Sequence, residues 1–354
     1  MLYQTENQHG GDVYGGGITL DFSANTNPLG TPPGVLEAVC RALPQLHRYP
    51  DPYCRRLVQT IACHEQVLAS YILCGNGAAD LIYTYCAALR PRTAVELAPT
   101  FVEYGAGLAQ VGCRVERYFL HQAQNFDLDE RFLSFLEEKK PEVVFLCNPN
   151  NPTGRLIPLP LLEQILQYCA AQGARLFLDE CFLDLTEDGV SAKSLLAAHP
   201  ELLILKAFTK SYGMAGIRLG YCLCADNALL RRMAAASPPW NVSSPAQSAG
   251  VAALAERDFL QRTLSLVRTE RRWLTDNLTA LGFWVCPSHA NYLLFRGPLG
   301  LREGLLQQGI AIRGCGNYNG LGDGWYRIAV RPHGENEALI TAIRQFCKEK
   351  ALWQ

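Results

Sequence analysis

Between residues 53 and 224, short and nearly continuous apolar runs alternate with longer segments of helical period. A strand that is apolar at every position must be covered on both faces, and a mostly parallel sheet flanked by helices provides that cover. The pattern predicts helix 53–66, strand 71–74, helix 77–89, strand 93–97, helix 101–111 and strand 114–120. It continues with helix 128–138, strand 142–147, helix 159–172 and strands 174–179, 202–206 and 219–224. After Pro238-Pro239-Trp240 the rhythm changes. A long helical region over 245–280 leads into strands near 283–287, 291–296, 309–313 and 325–330, with helices near 300–308 and 334–349. The expectation is an α/β chain whose large domain carries the parallel sheet, followed by a smaller α+β domain. Residues 1 to about 30 are polar and glycine-rich, and serve as a flexible lead or a strap over a site. The expected division is an arm over 1–45 joining the small domain, a large domain over 46–240, and a linking helix with the small domain over 241–354.

Bulk properties narrow the function. A chain of 354 residues can bury a large core, and a formal charge of −1 gives no footprint for nucleic acid or an anionic membrane. The stretch Met1 to Asp12 is polar and lacks the basic-then-apolar layout of a signal peptide. No apolar run is long enough to span a bilayer. The 14 cysteines are scattered through apolar segments such as those of Cys74, Cys86, Cys147 and Cys169. Cys222 and Cys224 lack the spacing of a zinc site. Together these features predict a cytoplasmic protein with reduced, buried thiols and no metal.

Ligands of parallel sheets bind outside the carboxyl ends of the strands, so the strand ends are where chemistry is expected. Strand 71–74 runs into Gly75-Asn76-Gly77-Ala78-Ala79 and then a helix. This is either an ordinary turn or an anion cradle made of backbone N–H groups. Strand 142–147 ends in Asn148-Pro149-Asn150-Asn151-Pro152-Thr153-Gly154, a rigid loop from which Asn151 can donate to a ring oxygen. Strand 174–179 ends in Asp179, a carboxylate that needs a partner where it is buried. It is either a cap or ion-pair member, or the group that keeps a pyridine nitrogen protonated. Strand 202–206 leads to Thr209, Lys210 and Arg218. A lysine there can condense with a phosphate-bearing aldehyde, while the threonine hydroxyl and the planar arginine fork hold the phosphate. The alternative is a surface lysine beside a glycine turn.

Taken together, Asn151-Pro152-Thr153-Gly154, Asp179, Lys210 and Arg218, with roughly thirty residues between the first three, resemble the fold-type I pyridoxal-phosphate enzymes of the class I/II aminotransferase superfamily. The resemblance spans about residues 20 to 350 and implies pyridoxal 5′-phosphate as cofactor, held by the large domain. It implies that Lys210 tethers the cofactor and shuttles protons, that Asp179 pairs with the ring nitrogen, and that Asn151 donates to the ring oxygen. Thr209, Arg218 and the backbone at Gly77, Ala78 and Ala79 would bind the phosphate, and Phe101 would stack on the ring. Tyr49 would reach the phosphate of a partner subunit, which implies a homodimer with shared active sites.

Two branches fit best, histidinol-phosphate aminotransferases and threonine-phosphate decarboxylases of cobalamin synthesis. His9-Gly10-Gly11-Asp12, the stretch Asp21 to Gly30, Pro239-Trp240-Asn241-Val242, Ala290 to Leu294, the stretch Ile312 to Leu321 and Tyr326 to Arg331 favour the decarboxylases. The resemblance then implies a phosphorylated amino acid as substrate, contacted by His9, Gly10, Asn25, Asn151, Arg313 and Arg327 as well as Lys210. An arginine in the otherwise apolar strand around Arg327 is costly to bury without an anion. The sequence departs from the pattern in three places. Phe182 stands where relatives commonly place a tyrosine that donates to the ring oxygen. Ala207 replaces a hydroxyl residue near the phosphate. The spacer from His9 to Asp21 is short for the decarboxylase branch.

Overall fold

The computed structural model describes residues 9–351; the first eight residues of the arm lie outside them. Strand β1 (Leu20–Asp21) stands apart from the main sheet. That sheet is built from β2 (Ile72–Gly75), β3 (Thr93–Ala98), β4 (Arg114–Phe119), β5 (Val143–Cys147), β6 (Arg175–Asp179), β7 (Leu202–Ala207) and β8 (Gly220–Cys224). Its order is β2-β8-β7-β6-β5-β3-β4. Strand β8 runs antiparallel to both neighbours and every other pair is parallel. Every residue of β5, β7 and β8 is buried, as strands covered on both faces require, and the one charged residue among them, Lys206 of β7, is ion-paired. The carboxyl ends of β5, β6 and β7 therefore lie side by side, with Cys147 opposite Asp179 and Asp179 opposite Leu205.

A second sheet joins β9 (Trp284–Val285), β10 (Tyr292–Arg296), β12 (Arg313–Gly314) and β13 (Trp325–Ala329), in the order β12-β13-β10-β9 and all antiparallel. Strand β11 (Ile310–Ala311) instead pairs parallel with β1. The expected strand over 309–313 is thus two short strands serving two sheets. The arm is stitched in at this point. Phe22 is fully buried; its N–H donates to Ala311 O at 2.8 Å and its carbonyl accepts from Ala329 N–H at 2.8 Å.

The expected long helix over 245–280 is two helices, Ser244–Ala253 and Phe259–Ala280. The first, capped by the Ser243 hydroxyl, packs on a helix over Pro33–Ala42; the second packs on the last helix, His333–Ala351. A single rod could not meet both partners. Helices Pro33–Ala42 and Asn227–Ala236 were not expected. The first opens with Pro33 at a position where the missing N–H does no harm, and the Asp226 carboxylate caps the second through Ala228 N–H and Leu229 N–H.

Candidate active site

Where β5, β6 and β7 end, the second sheet and the arm close over a cavity of about 230 Å³. It is lined by His9, Gly10, Asn25, Ala78, Ala79, Phe101, Asn151, Asp179, Thr209, Lys210, Arg218, Arg313 and Arg327. Residues up to 318 positions apart in sequence thus share one wall.

Lys210 sits in a single helical turn, Phe208–Ser211, that directly follows β7. Its Nζ lies 5.4 Å from the centre of the Phe182 ring. Burial, then Arg327 and Arg218, push its ammonium down to about 8, against the opposing pull of Cys181 and Asp179. Asp179, at 5% exposure, accepts the Tyr104 hydroxyl at 2.6 Å and the Cys181 N–H at 2.9 Å. Burial raises its pKa above the usual carboxylate value, and these two donors limit the rise.

The glycine turn after β2 opens a helix. Gly77 has φ +89 and precedes the twelve-residue helix Ala78–Leu89. A Cβ on Gly77 would stand 2.7 Å from Arg218 Nη2, so only glycine lets the guanidinium lie over the helix N-terminus. Among the described residues the Arg218 guanidinium donates only to a backbone carbonyl, Ala215 O, at 3.2 Å, and meets no carboxylate. A helix N-terminus, Thr209 and a guanidinium without a counter-ion together suit a phosphate.

In the loop after β5 the three asparagines divide their work. Asn148 Oδ1 accepts Ile157 N–H at 2.9 Å, and Asn150 bonds Pro99, Thr100 and Thr153, so both brace the loop. Asn151 Oδ1 accepts Arg327 Nη1 at 2.5 Å, which leaves its amide nitrogen as the donor end. Arg327 also donates to Ser23 O at 2.9 Å and stands in register opposite Arg313 on β12. Arg313 and Arg327 are 8% and 6% exposed, and the Arg313 guanidinium donates to Gly314 O at 2.6 Å and to Asn317 Oδ1 at 2.7 Å. Both atoms of the Asn25 amide are buried without a partner among the described residues.

Of the expected site residues Gly77 and Tyr49 do not line this cavity; Gly77 stands beside Arg218, which does, whereas Tyr49 lies away from it. It is 77% exposed and its ring stacks on Trp240 with centroids 4.5 Å apart. Sequence reasoning missed Tyr104, Tyr318, Cys147 and Cys181, the last three of which line or edge the cavity. Tyr104 carried a signal: in the expected helix 101–111 it falls among apolar residues, and a buried tyrosine must find a partner for its hydroxyl.

Residues 18–346 match the family of class I and II aminotransferases. The chain belongs to that family. It is 40% identical over 331 residues to the threonine-phosphate decarboxylase of Salmonella typhimurium, covering 92% of this chain and 90% of that protein. Its fold is similar to the crystal structure of a histidinol-phosphate aminotransferase from Clostridium acetobutylicum, with TM-score 0.86, 28% identity, and 92% and 98% of the two chains covered. It is also similar to L-threonine-O-3-phosphate decarboxylase from Porphyromonas gingivalis, with TM-score 0.82, 25% identity, and coverage of 93% and 99%. Class I and II aminotransferases are pyridoxal-phosphate enzymes, and the donor set here fits that cofactor. A buried carboxylate suits a pyridinium, a lysine of lowered pKa suits an aldehyde, and the Gly77–Arg218 cradle suits a phosphate.

Proposed function

We propose that the chain is a pyridoxal-phosphate-dependent decarboxylase of L-threonine O-3-phosphate, forming (R)-1-amino-2-propanol O-2-phosphate for cobalamin synthesis. The observation that carries this reading is the register-matched pair Arg313 and Arg327, both buried and lining the same cavity as Lys210. Two buried guanidiniums suit a substrate with two anionic groups, a carboxylate and a phosphate. The 40% identity to the Salmonella enzyme supports the same substrate.

In this reading Thr209, Arg218 and the backbone of Gly77, Ala78 and Ala79 hold the cofactor phosphate, while Phe101 covers its ring. Asp179 would keep the proton on the ring nitrogen, and Asn151 would donate its amide N–H to the ring oxygen. The cofactor supplies an electron sink for whichever bond at the substrate Cα stands perpendicular to its ring. Arg313 and Arg327 hold the substrate so that this bond is the one to the carboxylate. Asn25, with both amide atoms unpaired among the described residues, and the arm residues His9 and Gly10 close the substrate side and exclude water. With the cofactor bound, Lys210 would be the group placed to hold a proton beside the substrate Cα and return it there once the carboxylate is lost. Tyr49, exposed beside Trp240, serves the phosphate site of a second copy in a homodimer. The free cysteines fit a reducing cytoplasm, and no helix of the described residues is long and apolar enough to cross a membrane.

A histidinol-phosphate aminotransferase is the second reading, favoured by the likeness to the Clostridium structure. The same scaffold gives transamination when the Cα–H bond is the perpendicular one, so substrate pose decides. Holoenzyme is incubated with phosphothreonine and, separately, with histidinol phosphate plus 2-oxoglutarate. Release of CO2 in the first tube with no glutamate in the second is expected. Glutamate without CO2 would overturn the decarboxylase in favour of the aminotransferase.

A further inference from the structure

The arm makes a contact for which the chemistry above has no use. His9 Nε2 lies 2.7 Å from Glu103 Oε1, and the other carboxylate oxygen of Glu103 accepts the Tyr83 hydroxyl at 2.6 Å. Glu103 opens the helix Glu103–Gln110, two residues beyond Phe101, and Tyr83 lies on the helix Ala78–Leu89. Both helices flank the seven-stranded sheet. On its other side the arm is tied to the second sheet. Gly11 N–H donates to Ser23 Oγ at 2.8 Å, and Ser23 O accepts from Arg327 Nη2 at 2.9 Å. Gly10 runs so close that a Cβ there would stand 2.1 Å from Ser23 O. Residues 9–11 therefore bridge the cavity mouth from Arg327 to Glu103, and the His9 ring lies 5.9 Å from that of Phe101.

We propose that Glu103, itself held by Tyr83, is a positioning residue that ties His9 across the mouth of the active site to meet the phosphorylated substrate. This rests on the decarboxylase reading only for the identity of that substrate. The Gly11–Ser23 bond fixes the arm's backbone but not the imidazole. A carboxylate on Nε2 fixes the orientation of the ring across the mouth and commits that nitrogen to the protein. The His9 bond holds the Glu103 carboxyl below its usual range; burial opposes this and the Tyr83 hydroxyl assists it. An exposed ion pair alone would contribute little. Here the Tyr83 hydroxyl holds the other carboxylate oxygen and so aims the carboxylate at the arm, and the expected effect of the contact is on substrate binding.

A double-mutant cycle tests this, using Glu103→Gln, His9→Ala and the pair of them as holoenzymes, on whichever substrate the wild type converts. Each single change is expected to lower kcat/KM about tenfold, mostly through KM, with the double variant no worse than His9→Ala alone. Tyr83→Phe is expected to give about a threefold loss in the same direction. Losses that multiply in the double variant, or an unchanged KM in Glu103→Gln, would show that Glu103 does not act through His9 and would overturn the proposal. The cofactor absorbance of each variant checks that it is folded and loaded. If the wild type makes glutamate from histidinol phosphate and no CO2 from phosphothreonine, the cycle is run on histidinol phosphate, so the two proposals fail separately. A wild type that converts neither overturns both.

Discussion

Lys206 and Lys210 leave the same strand-to-helix junction four residues apart, yet their surroundings drive their ammonium groups in opposite directions. Lys206, 5% exposed within β7, has its Nζ 3.0 Å from Asp184 Oδ1 and 3.1 Å from Glu65 Oε1. Burial works against its charge, but Asp184, Tyr221 and Glu65 outweigh burial and hold its pKa well above the usual lysine value. Around Lys210 burial is joined by two cations, Arg327 and Arg218, and the pKa falls to about 8. Burial of a lysine therefore says little about reactivity; the sign of its neighbours decides. The two regions are also mechanically joined. Glu65 takes Lys193 at 2.8 Å and the Tyr221 hydroxyl at 2.5 Å, and Asp184 takes the hydroxyl of Ser211, which adjoins Lys210. Lys206, held by its ion pairs, thus anchors the platform on which Lys210 stands, for which no ion pair is formed among the described residues.

Exchanging these roles by mutation gives the largest expected effects. Lys210→Ala should lower turnover at least about a thousandfold and remove the adduct that borohydride fixes at that position, with an unfolding curve close to wild type. Lys206→Met should keep the adduct but lower stability by about 3 kcal/mol in urea, because it leaves Glu65 and Asp184 facing one another without their shared cation. An unchanged midpoint for Lys206→Met would break the comparison.

The pH dependence sharpens it further. A lysine titrating near 8 is mostly neutral, hence nucleophilic, above that pH, so the rate of cofactor uptake by the apoprotein should rise through about pH 8 and then level. A rate still climbing steeply near the ordinary lysine pKa would contradict the lowered value. The stability sign follows from the same shift. Between about 8 and 10.5 the folded chain binds fewer protons at Lys210 than the unfolded chain does, so the apoprotein gains stability as pH rises through that window. The gain should reach about 2 kcal/mol, allowing for solvent screening of a half-buried group, and Lys210→Met should erase it.

The smallest effect tests the ring beside Lys210. Phe182 packs edge-on against Tyr292, with centroids 4.9 Å apart, and offers the cofactor no donor. Phe182→Tyr should add one donor to the ring oxygen and lower the pKa of the lysine–cofactor link by about one unit in an absorbance titration. An unmoved titration would show that position 182 does not reach that oxygen.

Much of this site was legible because its chemistry sits at strand ends. Asp179 is the last residue of β6, and Lys210 and Asn151 follow β7 and β5 within a few positions, so recognising the strands located the residues. The glycine at 77 announced its own backbone geometry. The break between Ala253 and Phe259 was not legible, because two sequential helices of similar period read as one unless the partners that pull them apart are known. Tyr104 and Glu103 were missed for a related reason. Their partners, Asp179 and His9, lie 75 and 94 positions away.

The sequence by itself determined the alternation of buried strands and helices, the glycine turn that opens a helix at residue 78, and the residue types placed at each strand end, since all of these rest on neighbours within a few positions. Only the tertiary structure decided which lysine is paired and which is poised, that Arg313 stands opposite Arg327, and that the arm is fastened by Glu103. Electrostatic shifts sum over every charge within several ångströms, and in this fold those charges come from segments far apart along the chain.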